Sequence, residues 1–201
     1  MANKKFYAVR KGRTPGIYQT WSECQAEVTG FKGAEFKSFL TLQEAELFLT
    51  KECVKEEEVK LGENSIVVYV DGSYNGGDEF AYGMIVLTKS EELQFNGKIE
   101  DKEMATMRNV AGEITGAMEA MKYALEHKIT KIYLHYDYFG IEKWCTGEWK
   151  TNKNGTKAYK EYYDSIKEYV EVIFVKVKGH SNNKYNDLAD YLAKKALGIE
   201  K

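Results

Sequence analysis

Cysteine and proline are scarce in this chain of 201 residues, which contains three cysteines and one proline. Cys24, Cys53 and Cys145 are odd in number and far apart, so they offer neither a disulfide framework nor the spacing of a zinc site. The single proline and the 13% of aromatic residues exclude collagen-like and low-complexity classes. Since this cysteine usage is typical of a reducing compartment, we expect a cytoplasmic protein.

Long apolar runs are also absent, and none approaches the roughly 20 residues that a membrane-spanning helix needs. The N-terminal MANKKFYAVRKGR passes from lysines directly into a strand-like alternation, without the apolar stretch of a signal peptide. We therefore expect neither a membrane segment nor secretion. With 43% hydrophobic and 30% charged residues, the composition is that of a soluble globular chain of one or two domains.

The net charge of -2 is unevenly distributed. Residues 1–50 contain 7 Lys and Arg against 5 Glu, which gives +2, whereas residues 62–201 contain 19 against 22 Asp and Glu, which gives -3. If the acidic part acts on a polyanion, it needs metal ions in its site and a basic element elsewhere. The charge alone argues neither for nor against nucleic acid.

A charge-dense stretch without aromatic residues, at 51–63, predicts a linker between a small domain at 1–50 and a larger one at 64–201. In the small domain, KFYAVRKG and GIYQTW predict a β-hairpin. SECQAEVTGF and TLQEAELFL predict two helices, capped by Ser22 and Thr41 respectively.

The larger domain shows strand patterns and helix patterns that predict a mixed α/β sheet with helices packed on it. We expect strands at 66–70, 80–87, 92–99, 131–136 and 172–177, helices at 111–126 and 186–197, and a helical region at 138–170 with breaks at Gly147 and Gly155.

Four acidic residues lie where predicted elements begin or end. They are Asp71 after the first strand, Glu113 in the first turn of the 111–126 helix, Asp137 after the 131–136 strand and Asp187 at the start of the last helix. Any one of them could equally begin a turn or complement a helix dipole. If the two strands are neighbours, however, Asp71 and Asp137 emerge side by side. Gly116 and Ala117 would let the helix of Glu113 pack closely on the sheet.

Such a cluster of carboxylates predicts a site for divalent cations, because unneutralised carboxylates within about 4–6 Å repel one another. Oxygen ligands favour Mg²⁺ or Mn²⁺ over zinc. Two such ions about 4 Å apart would activate a water and stabilise the leaving oxygen of a phosphodiester. The residues by themselves therefore indicate phosphoryl chemistry.

Four blocks of the sequence resemble, in order and approximate spacing, those of type 1 ribonuclease H. They are VYVDGSYN (68–75), RNVAGE (108–113), YLHYDYFGIEKW (133–144) and KVKGHSNNKYNDLADYLAKKA (176–196), and the resemblance covers about 60–201. It implies a five-stranded mixed sheet and an endonuclease that cuts the RNA strand of RNA–DNA hybrids, leaving 5′-phosphate and 3′-hydroxyl ends. It also places Asp71, Glu113, Asp137 and Asp187 at the catalytic positions that bind two Mg²⁺ or Mn²⁺ ions.

The same resemblance assigns roles to residues around these acids. His180, in the loop KGHSNN, corresponds to a histidine near the scissile phosphate that assists proton transfer or product release, although a loop histidine is often an ordinary surface residue. Contacts to the RNA strand are implied for Gly72, Ser73, Asn75 and Asn109. Without the resemblance, DGSYNGG also reads as a simple turn.

The segment 6–39 resembles the hybrid-binding, viroplasmin-like domain that precedes many ribonucleases H. The resemblance implies that Trp21 and Phe36 stack on the DNA strand and that Tyr7, Arg10 and Lys37 contact phosphates or minor-groove hydroxyls. Aromatic residues in a domain this small could also be core residues. Ser38 departs from the family, which often has a second basic residue at that position.

Two functions remain open at this point. The first is a hybrid-specific, metal-dependent endoribonuclease, and the second is a non-catalytic protein of the same superfold that binds hybrid or double-stranded nucleic acid. The four acids favour the first. The segment 140–159 is too short for the extra basic helix of some family members, so we expect hybrid affinity to depend on the N-terminal domain and the protein to act as a monomer.

Overall fold

The computed structural model describes residues 5–39, 42–50, 61–178 and 183–199. The chain divides into two compact units, Met1–Glu58 and Val59–Lys201, which are treated separately below. Most of the linker predicted at 51–63 lies outside the described residues. Within the described ranges, no helix has the length and apolar character that a membrane crossing demands.

The N-terminal unit is a three-stranded antiparallel sheet with helices packed on it. Its elements are β1 (Phe6–Lys11), β2 (Gly16–Tyr18), α1 (Trp21–Val28), β3 (Glu35–Phe39) and α2 (Leu42–Thr50), with β1 between β2 and β3. Val9 of β1 packs with Cys24 and Val28 of α1 in a small core. The predicted hairpin and both helices are present, whereas β3 was not predicted.

The first helix begins at a different cap from the predicted one. Thr20 is the N-cap, because its hydroxyl accepts from the Glu23 backbone N–H and the Glu23 carboxylate accepts from the Thr20 N–H. Ser22 lies inside the helix. The pattern T-x-x-E is the sequence signature of this reciprocal cap. The other predicted cap, Thr41, lies outside the described residues.

The larger unit contains a five-stranded mixed sheet flanked by helices, which confirms the predicted fold class. Its elements are β4 (Ser65–Tyr74), β5 (Glu79–Leu87), β6 (Glu92–Glu100), α3 (Lys102–Ala105), α4 (Asn109–Glu126), β7 (Lys131–Tyr136), α5 (Gly140–Thr146), α6 (Asn154–Ile166), β8 (Glu171–Lys176) and α7 (Lys184–Ala196). The strand order is β6-β5-β4-β7-β8, in which β4, β5 and β6 form an antiparallel meander while β4, β7 and β8 run parallel.

Helices cover both faces of this sheet. The main core lies under α4, where Val68 and Val70 of the central strand pack with Ile114 and Met121. A second cluster on the opposite face joins Tyr69 and neighbouring strand residues to α7. The central strand is buried on both faces because its two neighbours and both helices enclose it.

The 138–170 region contains two helices separated by a loop, and one of the two predicted breaks is wrong. Gly147 ends α5 in the left-handed conformation with φ 81°, as a C-cap glycine does. Gly155, in contrast, is the second residue of α6. A Cβ there would meet the flexible ends of the Met104 and Met107 side chains, which would have to shift to make room.

Candidate active site

The acidic site lies where β4 and β7 separate. Their parallel pairing runs from Ser65 and Lys131 to Tyr69 and His135 and then stops, whereas β4 continues its antiparallel pairing with β5 to Tyr74. Asp71 was predicted directly after this strand, whereas it lies within β4. The carboxyl ends of neighbouring parallel strands are where α/β sheets place their ligands.

Two glycines bring Glu113 to this crevice. A side chain at Gly72 would collide with the backbone carbonyl of Asn109, and one at Gly112 would collide with that of Ala81. The backbone of α4 therefore lies directly against β4 and β5 at this point, closer than any side chain would permit. Glu113 is the fifth residue of α4, so it occupies the second turn rather than the predicted first turn.

Asp71, Glu113 and Asp137 converge as predicted. One carboxylate oxygen from each lies within 4.8 Å of the others. Asp71 and Glu113 are buried, and Asp137 is half-buried at the end of β7. The backbone N–H of Gly72 donates to Asp71 Oδ1 at 2.7 Å, which holds that carboxylate in place.

Burial and mutual repulsion shift the ionisation of this cluster. Burial, followed by the charge of Asp137, raises the pKa of Asp71 to about 7. Burial, followed by the charges of Asp137 and Asp71, raises the pKa of Glu113 to about 9, against the opposing effects of the Tyr138 backbone N–H and of Lys176. Without a nearby positive charge, the folded protein therefore favours the protonated forms of Asp71 and Glu113.

These residues fit a divalent cation. Glu113 Oε2 is buried and has no hydrogen-bond partner among the described residues, so nothing in that part of the protein satisfies it. Three carboxylates provide only hard oxygen donors, which suit Mg²⁺ or Mn²⁺. A cation would both satisfy Oε2 and remove the repulsion that raises the two pKa values.

The fourth predicted acid requires a correction. Asp187 is an exposed residue in the first turn of α7, and its charge is not among those that shift the pKa of Asp71. Asp190, one turn later, does raise that pKa. Asp190 comes near Asp71 because α7 packs directly against β5 at Gly83, the cross-strand partner of Asp71. A side chain at Gly83 would collide with the Ala189 carbonyl of α7.

Asp190 was missed although the sequence contained a signal for it. The helix faces the sheet with Asn186, Ala189 and Ala193, all buried, and Asp190 lies on the same side. Small residues one position before and three positions after an acid mark a close approach of that helix face, whereas Asp187 was predicted from its place at the start of the helix and from the resemblance. Lys194 Nζ forms an ion pair with Asp190 Oδ2 at 2.5 Å.

The residues predicted to contact RNA are distributed around the cluster. Ser73 is buried on β4, and Asn109 is an exposed first residue of α4. Asn75 lies in the β4–β5 turn, where its amide donates to Glu79 and its oxygen accepts from the Gly77 N–H. Gly72 is needed for the packing of α4, which is a different reason from the predicted approach of RNA. His180 lies in residues 179–182, outside the described residues.

An aromatic cleft lies beside the acidic site. It has a volume of about 430 Å³ and is lined in part by Arg108, Tyr138, Trp144, Trp149, Lys150 and Lys153. The ring centroids of Trp144 and Trp149 are 6.1 Å apart, and Trp149 is exposed. Cations and exposed aromatic rings together suit a nucleic-acid backbone and its bases.

In the N-terminal unit, three of the predicted binding residues form one aromatic cluster. Trp21 lies 5.8 Å from Tyr7 and 5.7 Å from Phe36, measured between ring centroids. Trp21 is 45% exposed and Phe36 is 42% exposed, although large aromatic residues in so small a domain would be expected to fill its core. These rings form an open stacking surface.

The two basic residues predicted to assist them lie on the other face of the sheet. Arg10 donates twice to the Phe48 carbonyl of α2, at 2.6 and 2.9 Å, and its guanidinium lies 4.1 Å from the Phe48 ring. Lys37 Nζ lies over the Phe39 ring, which packs on Phe48. The structure therefore gives Arg10 a contact within the domain and separates both cations from the aromatic cluster.

Comparisons with known proteins match both units to sequence families. Residues 5–49 match the family described as the ribonuclease H1 N-terminal domain, and residues 63–198 match the ribonuclease H family. Ribonuclease H1 of Homo sapiens is 27% identical over 256 aligned residues, which cover 94% of this chain and 88% of the relative. Ribonuclease H of Crithidia fasciculata is 56% identical over 45 residues, covering 22% of this chain and 9% of the relative.

Solved structures agree on the fold. Ribonuclease H1 from the halophilic archaeon Halobacterium salinarum has a TM-score of 0.56 at 21% identity, covering 67% of this chain and 98% of its own. LC11 ribonuclease H1, solved in complex with an RNA/DNA hybrid, has a TM-score of 0.53 at 18% identity, covering 66% and 99%. The sheet and its carboxylate cluster thus define a protein of the ribonuclease H fold.

The chain belongs to the ribonuclease H family, since the family model spans residues 63–198 of its 201 residues. It is a ribonuclease H enzyme that carries the N-terminal domain of the H1 type.

Proposed function

We propose that this ribonuclease H hydrolyses the RNA strand of RNA–DNA hybrids and leaves 5′-phosphate and 3′-hydroxyl ends. The observation that supports it most directly is the convergence of three carboxylates within 4.8 Å at the crevice between β4 and β7. A relative of the same fold was solved in complex with an RNA/DNA hybrid.

Asp71, Glu113 and Asp137 would hold two Mg²⁺ or Mn²⁺ ions, with Asp190 in place of the predicted Asp187 as the fourth acid. Bound there, such ions supply an activated water and stabilisation of the leaving oxygen. The protein contributes rigidity, since Asp71 is fixed by the Gly72 N–H and Glu113 by the close packing of α4. The chain itself would contribute a preorganised set of oxygen ligands, so that the bound ions are in place before the phosphate arrives.

Substrate selection would come from groups around the cluster. Asn109 and the β4–β5 turn lie beside the acids and could test the 2′-hydroxyl of the RNA strand, which only RNA carries. His180, on the loop after β8, would assist proton transfer or product release. The cleft with Trp149 would hold the uncut strand.

The N-terminal unit would hold the hybrid through the exposed cluster of Tyr7, Trp21 and Phe36. Arg10 is engaged with Phe48, so its predicted phosphate contact would require a rearrangement, whereas exposed Lys37 can still attract the polyanion. We also propose that the protein acts as a monomer in the cytoplasm. Cys24 and Cys145 are free and buried thiols, in line with a reducing compartment.

The experiment is cleavage of a labelled RNA strand presented as RNA–DNA hybrid, as single strand and as RNA duplex, with Mg²⁺, with Mn²⁺ and with EDTA. We expect cutting of the hybrid only, dependent on the metal. Asp137→Asn keeps the side-chain shape but removes an anionic ligand, so it should abolish cutting while hybrid binding stays largely intact. Hybrid binding without any cutting would favour the non-catalytic alternative.

A further inference from the structure

Lys176 is a cation at the acidic site that the function described above does not use. It is the last residue of β8 and pairs with Tyr136, which directly precedes Asp137 on β7. The Val177 N–H donates to the Tyr136 carbonyl at 2.8 Å, so the two strands are still in register at this edge. Lys176 therefore ends β8 beside Tyr136, one residue before Asp137.

The side chain of Lys176 lies on the same face of the sheet as Glu113. Val172 and Phe174, which precede it by four and two residues, both pack against the core under α4. Since side chains alternate along a strand, Lys176 points to that face as well. The effect of its charge on the Glu113 carboxyl agrees with this placement.

The ammonium of Lys176 lies near the ring of Phe139. The Lys176 Nζ lies 5.0 Å from the centre of the Phe139 ring and donates to the Val177 carbonyl at 2.5 Å. Phe139, two residues after Asp137, is 52% exposed and Lys176 is half-exposed, so this ammonium lies at the surface near the acidic cluster. A phosphodiester that reaches the cluster would therefore come near a positive charge.

We propose that Lys176 binds a non-bridging phosphate oxygen of the nucleic-acid strand cut at the acidic cluster, at or next to the scissile phosphate. This role rests on the proposed function. An ammonium at this position attracts the polyanion to a site whose own carboxylates would repel it. Because the positive charge is fixed by the fold, it also stabilises the charge that accumulates on the phosphate during hydrolysis.

The alternative is that Lys176 only covers Phe139 with its aliphatic stem. Lys176→Met separates the two roles, because methionine keeps an apolar stem of similar length and removes the charge. Lys176→Arg keeps the charge. Lys131→Met is the matched control. Lys131 is the first residue of β7, at the end of the strand opposite Asp137, and forms an ion pair with Glu171 at 2.8 Å.

The full-length variants would be compared by single-turnover cleavage of the hybrid and by hybrid binding in EDTA at several salt concentrations. We expect Lys176→Met to slow cleavage by about 10- to 100-fold, the size of one hydrogen bond to a charged group. It should also lower the slope of log affinity against log salt by about 0.7–0.9. Lys176→Arg should retain most of the rate and the slope, and Lys131→Met should match the parent.

An unchanged rate and slope in Lys176→Met would overturn the proposal, as would an equal loss of rate in Lys176→Arg. Thermal unfolding of each variant controls for folding, and Lys176→Gln replaces the methionine variant if that one is unstable. If the parent protein itself does not cut hybrid, the proposed function fails. The salt slope in EDTA still decides whether Lys176 contacts phosphate in that case.

Discussion

Asp71 and Asp137 occupy matching positions on two parallel strands. Each lies two residues beyond Tyr69 and His135, the last pair between β4 and β7. The register of the sheet therefore places the two carboxylates opposite each other where no backbone hydrogen bonds join the strands. Because this geometry forces like charges together, it has consequences for stability as well as for metal binding.

Stability without metal should fall as the pH rises. Asp71 and Glu113 have pKa values of about 7 and about 9 in the folded protein, against roughly 4 when unfolded. The folded state then binds more protons than the unfolded state, so the free energy of unfolding decreases between about pH 4 and pH 9. In EDTA we expect the Tm to drop by several degrees from pH 5 to pH 9.

Added Mg²⁺ should reverse this drop, and increasingly so at higher pH, because the ion binds only the folded, deprotonated cluster. Glu113→Gln should flatten the pH dependence in EDTA and reduce the response to Mg²⁺. Differential scanning calorimetry measures both effects. A Tm in EDTA that rises from pH 5 to pH 9 would contradict this assignment of the two carboxyl groups.

Asp190 and Asp187 should differ sharply in their effect on cleavage. We expect Asp190→Asn to reduce kcat by at least about tenfold, since it removes an anion whose charge reaches Asp71. Asp187→Asn should leave kcat unchanged, because Asp187 is exposed one turn away. Steady-state kinetics on the hybrid at saturating Mg²⁺ compares the two, and equal losses would argue against placing Asp190 in the site.

The two faces of the N-terminal sheet should contribute differently to hybrid binding. Trp21→Ala removes an exposed stacking ring and should weaken affinity by about 1–3 kcal/mol with little change in the salt slope. Lys37→Met should instead lower the slope, by about 0.7–0.9, if it meets a phosphate. Fluorescence anisotropy at several salt concentrations separates the two effects. A chain lacking residues 1–50 should bind more weakly and still cut.

Loss of His180 should alter the pH dependence of turnover rather than metal binding. Imidazole is the side chain best suited to exchange a proton near neutral pH, which is what the proposed proton transfer requires. We expect His180→Ala to slow kcat and to flatten its profile between about pH 6 and pH 9. A pH profile of kcat with the same shape as that of the parent protein would show that His180 takes no part in proton transfer.

Most of the larger domain could be predicted because its elements carry strong periodic patterns. Alternating and helical spacing predicts the central strands and α4. The acids at the ends of these elements predict the carboxylate cluster. The wrong predictions are at positions where a tertiary contact determines the local structure. Gly155 looks like a helix breaker in sequence, yet it is the second residue of α6, with Met104 and Met107 packed next to it.

The strand β3 shows the same limit in the N-terminal unit. Its five residues, EFKSF, are mostly exposed, so they lack the buried alternation that predicts a strand. It forms because β1 offers an edge about 30 residues earlier in the chain, with partners such as Tyr7 for Ser38. Likewise, no local pattern could place Arg10 and Trp21 on opposite faces of the sheet.

The backbone contacts at Gly72, Gly83 and Gly112 also determine how this protein tolerates change. Each of these positions lacks room even for a methyl group, because the neighbouring obstacle is a main-chain carbonyl that cannot rotate away. In a saturation mutagenesis survey they should appear as intolerant as Asp71 itself. Their variants would fail in folding yield rather than in chemistry, so abundance and activity must be scored separately to distinguish residues that frame the site from those that act in it.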